Sequence, residues 1–314
     1  HIFSKITDIL VGRKSKIYFL FPIRIFFALL FTFCGYTNIV NIKIGFKEGE
    51  HMPALYAHNR FGQKVLEQLK GELKDIVTAH DTQFKIGLQG PDIFFFYKAY
   101  SKNDVTRYGS HLHEISAYPF FKRALKIIKE RGRNSREYAY LLGFICHFVL
   151  DSECHPYVSE MIEKTGIGHV EIEGEFEKKL LRMDQKDPLA YPLSELVPTD
   201  TATALAIAPF FEGKDWVTVK KSLRWMKRIE KLITAPGPIK YNLIEGILKT
   251  AGKYPDYKGM MRQHKDNEKC LESNIGLLKR FDKAVSVAVR IIESFDESLQ
   301  KGKVLDERFD RTFE

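Results

Sequence analysis

Residues 138–155 read YAYLLGFICHFVLDSECH, an almost wholly apolar run in which His147, Asp151 and His155 stand four residues apart in turn. At roughly 100° per residue, steps of four keep side chains on one helical face and drift only about 40° each time. Phe144, Ile145, Phe148, Val149 and Leu150 surround the three polar residues, so the helix is expected to be buried with three ligand-type side chains pointing the same way. A lone buried histidine is usually a hydrogen-bonded core residue, but burying His, Asp and His together without compensation is costly. Metal ions supply that compensation.

Helix rise decides how many ions are needed. His147 and His155 lie roughly 12 Å apart along the axis, whereas Zn–N bonds are only about 2.0–2.1 Å long. One ion cannot hold both ends. Asp151, midway and with two oxygens, can share an ion with His147 or bridge two ions, and His155 needs partners from elsewhere. His169 and Glu173, an i, i+4 pair on the next expected helix, can supply them. Imidazole with carboxylate and without thiolate favours zinc over manganese or iron, and matches calcium and magnesium poorly.

Outward from this stretch the helical period persists. Phe61, Val65, Leu66, Leu69, Leu73, Ile76 and Val77 recur at three and four, as do Phe120, Phe121, Leu125 and Ile128. Val170, Phe176, Leu180 and Leu181 continue it, followed by Ala202–Phe211, Val217–Ile233, Tyr241–Leu248 and Leu271–Leu299. Pro156 is expected to end the His147 helix, because a residue before proline disfavours the α region. No stretch alternates as a strand does, and there is no internal repeat. The expected fold is a single all-α domain running from Met52 to residue 314.

Composition agrees with that frame. The chain has 314 residues, 44% hydrophobic and 28% charged, with four cysteines and no CxxC pair. Cys146 and Cys154 share the buried helix about 12 Å apart, too far to bridge. The net charge of +9 is spread along the chain, which argues against a nucleic-acid groove, and no stable nucleic-acid partner is expected.

Residues 1–51 read differently. Lys14 and Lys16 precede an apolar run from Ile17 to Cys34, broken by Arg24, in the manner of a signal or membrane anchor. The run Lys47-Glu48-Gly49-Glu50-His51-Met52 back-translates to a purine-rich string just upstream of ATG, as a bacterial ribosome-binding site would lie. Met52 is therefore expected to be the true start and residues 1–51 a translated leader. The protein is then cytoplasmic; if residues 1–51 are native, it is membrane-anchored or secreted.

Three upstream elements offer further ligands. His58 lies just before the first long helix, Gly90-Pro91-Asp92 is a turn that delivers a carboxylate, and Gly109-Ser110-His111-Leu112-His113 carries two imidazoles. The aromatic run Phe94–Tyr97 after Asp92 reads as core before it reads as a contact for acyl chains.

This ordered set resembles the zinc-dependent phospholipases C of bacteria, whose relatives include the S1/P1-type nucleases, from about Met52 to the end. That family builds a trinuclear cluster from His, Asp, Gly-Ser-His, His-x-x-x-Asp, His and His-x-x-x-Glu, matched here by His58, Asp92, His111, His147 with Asp151, His155, and His169 with Glu173. The resemblance implies one zinc on His111, His147 and Asp151, a second on His155, His169 and Glu173, and a third on His58 with bridging Asp151, two to three ions in all. It implies that Asp92 orients or deprotonates the attacking water, and leaves His113 without a counterpart. Two positions depart from the pattern: Asp151 and His155 are four rather than six residues apart, and neither candidate start supplies the family's N-terminal Trp ligand. The implied activity is phosphodiester hydrolysis of phospholipid headgroups, with which peripheral membrane contact is compatible. An S1/P1-like nuclease or phosphatase, or a non-catalytic metal-binding protein, are the alternative readings. No Gly-Lys-Ser/Thr phosphate loop, Gly-x-Ser-x-Gly elbow or His-Glu-x-x-His motif competes.

Overall fold

A 30-residue helix, Arg136–Thr165, runs through the middle of the protein with most of its residues buried on every face. It is helix α6 of eleven in the computed structural model, which describes residues 54–99, 103–250, 254 and 258–314. The others are α1 (Leu55–Gln68), α2 (Gly71–Ala79), α3 (Asp81–Gly87), α4 (Asp104–Glu114), α5 (Tyr118–Arg131), α7 (His169–Met183), α8 (Thr201–Ile207), α9 (Trp216–Ile233), α10 (Pro238–Thr250) and α11 (Leu271–Lys301). No strand occurs among the described residues, as the all-α expectation requires. None of their helices is long and apolar enough to cross a membrane. The Ile17–Cys34 run and the expected leader boundary at Met52 lie outside the described residues.

Local chemistry sets the ends of α6. The Ser135 side chain accepts from the Tyr138 amide at the N-terminus, and Gly166 closes the C-terminus in the left-handed region, its amide 2.8 Å from the Ile162 carbonyl. The expectation that Pro156 stops the helix is overturned, because α6 continues nine residues beyond it. Proline costs the helix one amide donor and about 3 kcal/mol. The following turn buries Tyr157, Val158 and Met161, and each such side chain contributes roughly 1.5–3 kcal/mol, which outweighs the break.

Two elements pack most extensively on α6. Helix α11 packs along it and carries a buried stripe of Leu277, Phe281, Ala284, Val285, Ala288, Ile291, Ile292 and Phe295 spaced at three and four. Helix α3 approaches so closely that a Cβ on Gly143 would stand 2.1 Å from the Phe84 carbonyl oxygen. Side chains there would hold the two backbones apart, and this contact delivers the turn after α3 onto His147. Phe94, Phe95 and Phe96 on that turn are buried, as the reading of this aromatic run as core expects, and Tyr97 is half-buried. Cys146, Cys154 and Cys270 are free thiols.

Charges also knit the fold. Asp296 of α11 accepts two bonds from Arg133 and one from the Tyr138 hydroxyl, all at 2.6–2.7 Å, fixing the start of α6. Lys178 of α7, almost wholly buried, donates to Glu175 and to the carbonyls of Gln263 and Lys265 and pairs with Asp266. After α11, Gly302 turns the chain back, and Leu305, Phe309 and Phe313 are buried, the two rings against Phe148 of α6.

Candidate metal centre

Eight ligand-type side chains, from α1, the Asp92 turn, α4, α6 and α7, converge on the polar face of α6. They form three groups in which ligand atoms lie within 4.8 Å of one another: His58, His147 and Asp151; Asp92, His113 and His147; and His155, His169 and Glu173. Their spacing follows from helical geometry, since His147–Asp151, Asp151–His155 and His169–Glu173 are each i, i+4 pairs.

In the first group Asp151 Oδ1 is 3.3 Å from His58 Nε2 and Asp151 Oδ2 is 3.0 Å from His147 Nε2. In the second, Asp92 Oδ1 is 2.9 Å from His113 Nε2 and 3.9 Å from His147 Nε2. In the third, Glu173 Oε1 is 3.3 Å from His155 Nε2 and 3.0 Å from His169 Nε2. Asp151 Oδ1 also reaches to 4.0 Å from His155 Nε2, so the carboxylate stands between the first and third groups as His147 stands between the first and second. A tetrahedral ion with bonds of about 2.0–2.1 Å separates its ligands by roughly 3.3–3.4 Å, in the middle of these values.

The imidazoles are aimed by their far nitrogens. Nδ1 of His147 lies 3.2 Å from the Leu88 carbonyl, that of His155 2.9 Å from the Phe313 carbonyl, and that of His113 2.9 Å from the Gly109 carbonyl. A carbonyl only accepts, so each Nδ1 carries its proton and Nε2 faces the ligand group. His147 Nε2 and Asp92 Oδ1 are buried and have no hydrogen-bond partner among the described residues, although both have ligand atoms close by. Close approach without hydrogen-bond alignment, in a set of imidazoles and carboxylates, fits divalent zinc.

Electrostatics point the same way. Burial would raise the Asp151 carboxyl, but His147, His155 and His58 hold it well below the usual carboxylate range. Burial likewise opposes ionisation of Glu173, and His169 and His155 overcome it. Burial also disfavours imidazolium, yet Asp151 and Glu173 push His155 up to about 10. The residues thus pair acid with base, and a cation can replace the protons that the imidazoles hold.

One residue expected among the ligands falls outside the three groups. His111, expected to be a ligand, lies exposed on α4 and joins none of the ligand groups among the described residues, whereas His113 is buried in one. The reason is Gly109, whose position faces the Asp92 turn: a Cβ there would sit 3.1 Å from Phe94 Cβ. His113 follows four residues later on the same face, and its ring stacks on Phe95 at 5.1 Å, while His111 is turned roughly 200° away from Gly109. The Gly109–His113 spacing is the signal that distinguishes the two histidines. The remaining positions, His58, Asp92, His147, Asp151, His155, His169 and Glu173, are brought together by the fold. The carbonyl anchors at Leu88 and Phe313 have no signature in sequence.

Comparison with known proteins gives one match. The family model described as zinc dependent phospholipase C covers residues 57–227, more than half of the chain, from α1 into α9 and across every ligand of the three groups. No curated protein and no solved structure matches. With its all-α fold and its clustered imidazoles and carboxylates, this chain belongs to the zinc-dependent phospholipase C family.

Proposed function

We propose that the protein hydrolyses a phosphodiester bond in phospholipid, releasing the phosphorylated headgroup, at a centre of up to three zinc ions. His155, His169 and Glu173 would hold one ion, His58 and Asp151 would contribute to a second, and Asp92 and His113 line the space of a third, with the single free nitrogen of His147 available to one of the latter two. Bound zinc supplies Lewis acidity, making water available as a nucleophile near neutral pH and offsetting charge on phosphoryl oxygens. The observation that carries this reading is the position of Asp92: its buried Oδ1 lies between His113 Nε2 at 2.9 Å and His147 Nε2 at 3.9 Å, inside the ligand array. A carboxylate so placed can orient an attacking water and accept its proton. Asp151, held ionised by three imidazoles, stays an acceptor throughout and keeps His58, His147 and His155 in register.

Side-chain exposure falls from 16% at Glu173 and 11% at His169 to 0% at His147. Substrate phosphate therefore approaches from the Glu173 side and Asp92 works from the enclosed side. The test compares purified protein, with its zinc counted, on phosphatidylcholine and on single-stranded nucleic acid. Zinc-dependent release of phosphocholine, abolished in Asp92→Asn, is expected. Turnover of nucleic acid alone would assign a nuclease instead, and zinc binding without turnover of either would assign a non-catalytic role.

A further inference from the structure

The family model ends at residue 227, yet Phe313, much later in the chain, contacts the ligand array. We infer that the strap Leu305–Phe313 is a working part of the metal centre, in which Phe313 is a positioning residue for ligands at both ends of the array. This rests on the zinc-binding part of the proposed function and on nothing in the choice of substrate.

Phe313 touches both ends with its two backbone groups. Its carbonyl oxygen lies 2.9 Å from His155 Nδ1, and its amide donates to the His113 carbonyl at 3.3 Å. The first contact keeps the proton of His155 on Nδ1 and directs Nε2 toward Glu173 and Asp151. The second satisfies a carbonyl in the last turn of α4, which has no partner within its own helix. The Phe313 ring then closes the wall between them, with its centroid 5.2 Å from that of His113 and 5.7 Å from that of His147. Removing this ring would admit water beside two imidazoles that are otherwise enclosed.

The strap is built to hold that residue still. Phe309 packs its ring 4.2 Å from Phe121, the Arg311 carbonyl accepts from the Ala117 amide at 2.9 Å, and Asp310 accepts from the Ser116 hydroxyl at 2.7 Å. Arg308 and Arg311 both pair with Glu153, which lies on α6 between Asp151 and His155. Two independent ties, one through an imidazole and one through an ion pair, thus join the strap to the stretch of α6 that bears the ligands. Residues that orient a ligand from behind typically change metal affinity about 10–100-fold when lost.

The test measures zinc per chain, and zinc retention against a competing chelator, on the full chain. Wild type is compared with Phe313→Ala, Phe313→Leu and Phe281→Ala, the last removing a buried ring of α11 that packs against Phe61 and Phe176. Phe313→Ala is expected to retain zinc about 10–100-fold more weakly, while Phe313→Leu, which keeps the backbone anchored, stays near wild type. Phe281→Ala is expected to lose stability and keep its zinc affinity. Should Phe313→Ala fail to fold, Arg308→Gln loosens the strap from the surface and is expected to weaken zinc retention in the same direction. Wild-type zinc affinity in the folded Phe313→Ala protein, or in Arg308→Gln where that one is needed, overturns the role of the strap and leaves the metal centre intact. A wild-type chain that holds no zinc overturns both.

Discussion

Gly90 lies against the edge of the His147 imidazole: a Cβ at residue 90 would stand 2.1 Å from His147 Cδ2 and 2.4 Å from Nε2. The residue also has φ +49°, in the left-handed region where a side chain costs roughly 1–2 kcal/mol. Space and conformation therefore both reserve this position for glycine. The turn that carries Asp92 can close over α6 only because nothing projects from residue 90.

Gly90→Ala is accordingly expected to damage the metal centre more than the fold. The new methyl must displace either the ring of His147, which serves two ligand groups, or the turn bearing Asp92. Zinc content should fall and hydrolysis should drop by about 100-fold or more, as a misplacement of about 1 Å can cost that much. Loss in thermal midpoint should stay at the few degrees that roughly 1–2 kcal/mol produces in a chain of this size. Unchanged zinc content and activity in Gly90→Ala would show that the ring and turn tolerate the methyl.

The two histidines of α4 make a sharper contrast. His113→Ala removes a buried imidazole 2.9 Å from Asp92 and is expected to lower zinc affinity by at least the 10–100-fold typical of residues that merely support ligands. His111→Ala, at an exposed position, should change stability by no more than about 0.5 kcal/mol and leave zinc content alone. Isothermal titration of the metal-free proteins reads both. The opposite pattern would favour His111 over His113 as a ligand.

The same pair marks how far the sequence alone could go. Helical period made the all-α fold legible, and i, i+4 spacing made the clustering of His147, Asp151, His155, His169 and Glu173 legible, because those regularities are local. His113 was not, since choosing between it and His111 requires knowing that Gly109 faces Phe94 and Phe95, a contact between separate elements. Pro156 misled for a related reason: the rule about residues before proline is local, and burial of Tyr157, Val158 and Met161 overrides it. The Gly90–His147 contact depends on how α3 meets α6, which no periodicity encodes.

Lys178 tests what holds α7 against the 263–266 segment. Its ammonium is buried, donates to two backbone carbonyls and to Glu175, and pairs with Asp266. Lys178→Met would leave Glu175 buried without its cation, at a cost of about 3–5 kcal/mol. Asp266→Asn alters only a half-exposed partner and should cost about 1 kcal/mol or less. Urea unfolding measures both, and equal losses would mean that the buried end of this network carries no special weight.

Glu230 of α9 gives the protein a pH dependence of its own. With Glu173, Glu177 and Arg262 it lines a cavity of about 30 Å³. Burial, and then the neighbouring charge of Glu177, push its carboxyl up to about 8 against the opposing effect of Arg262. Between an ordinary value of 4.5 and about 8, the folded chain keeps a proton on Glu230 that the unfolded chain has released. The stability this supplies is complete below the ordinary carboxyl range and is lost as pH rises through about 8, by an amount on the order of a few kcal/mol. Glu230→Gln holds the neutral shape at every pH, so its urea midpoint should exceed that of wild type at pH 8 and converge with it toward pH 5. Parallel midpoints for the two proteins across that range would show that Glu230 ionises in the folded protein as freely as in water.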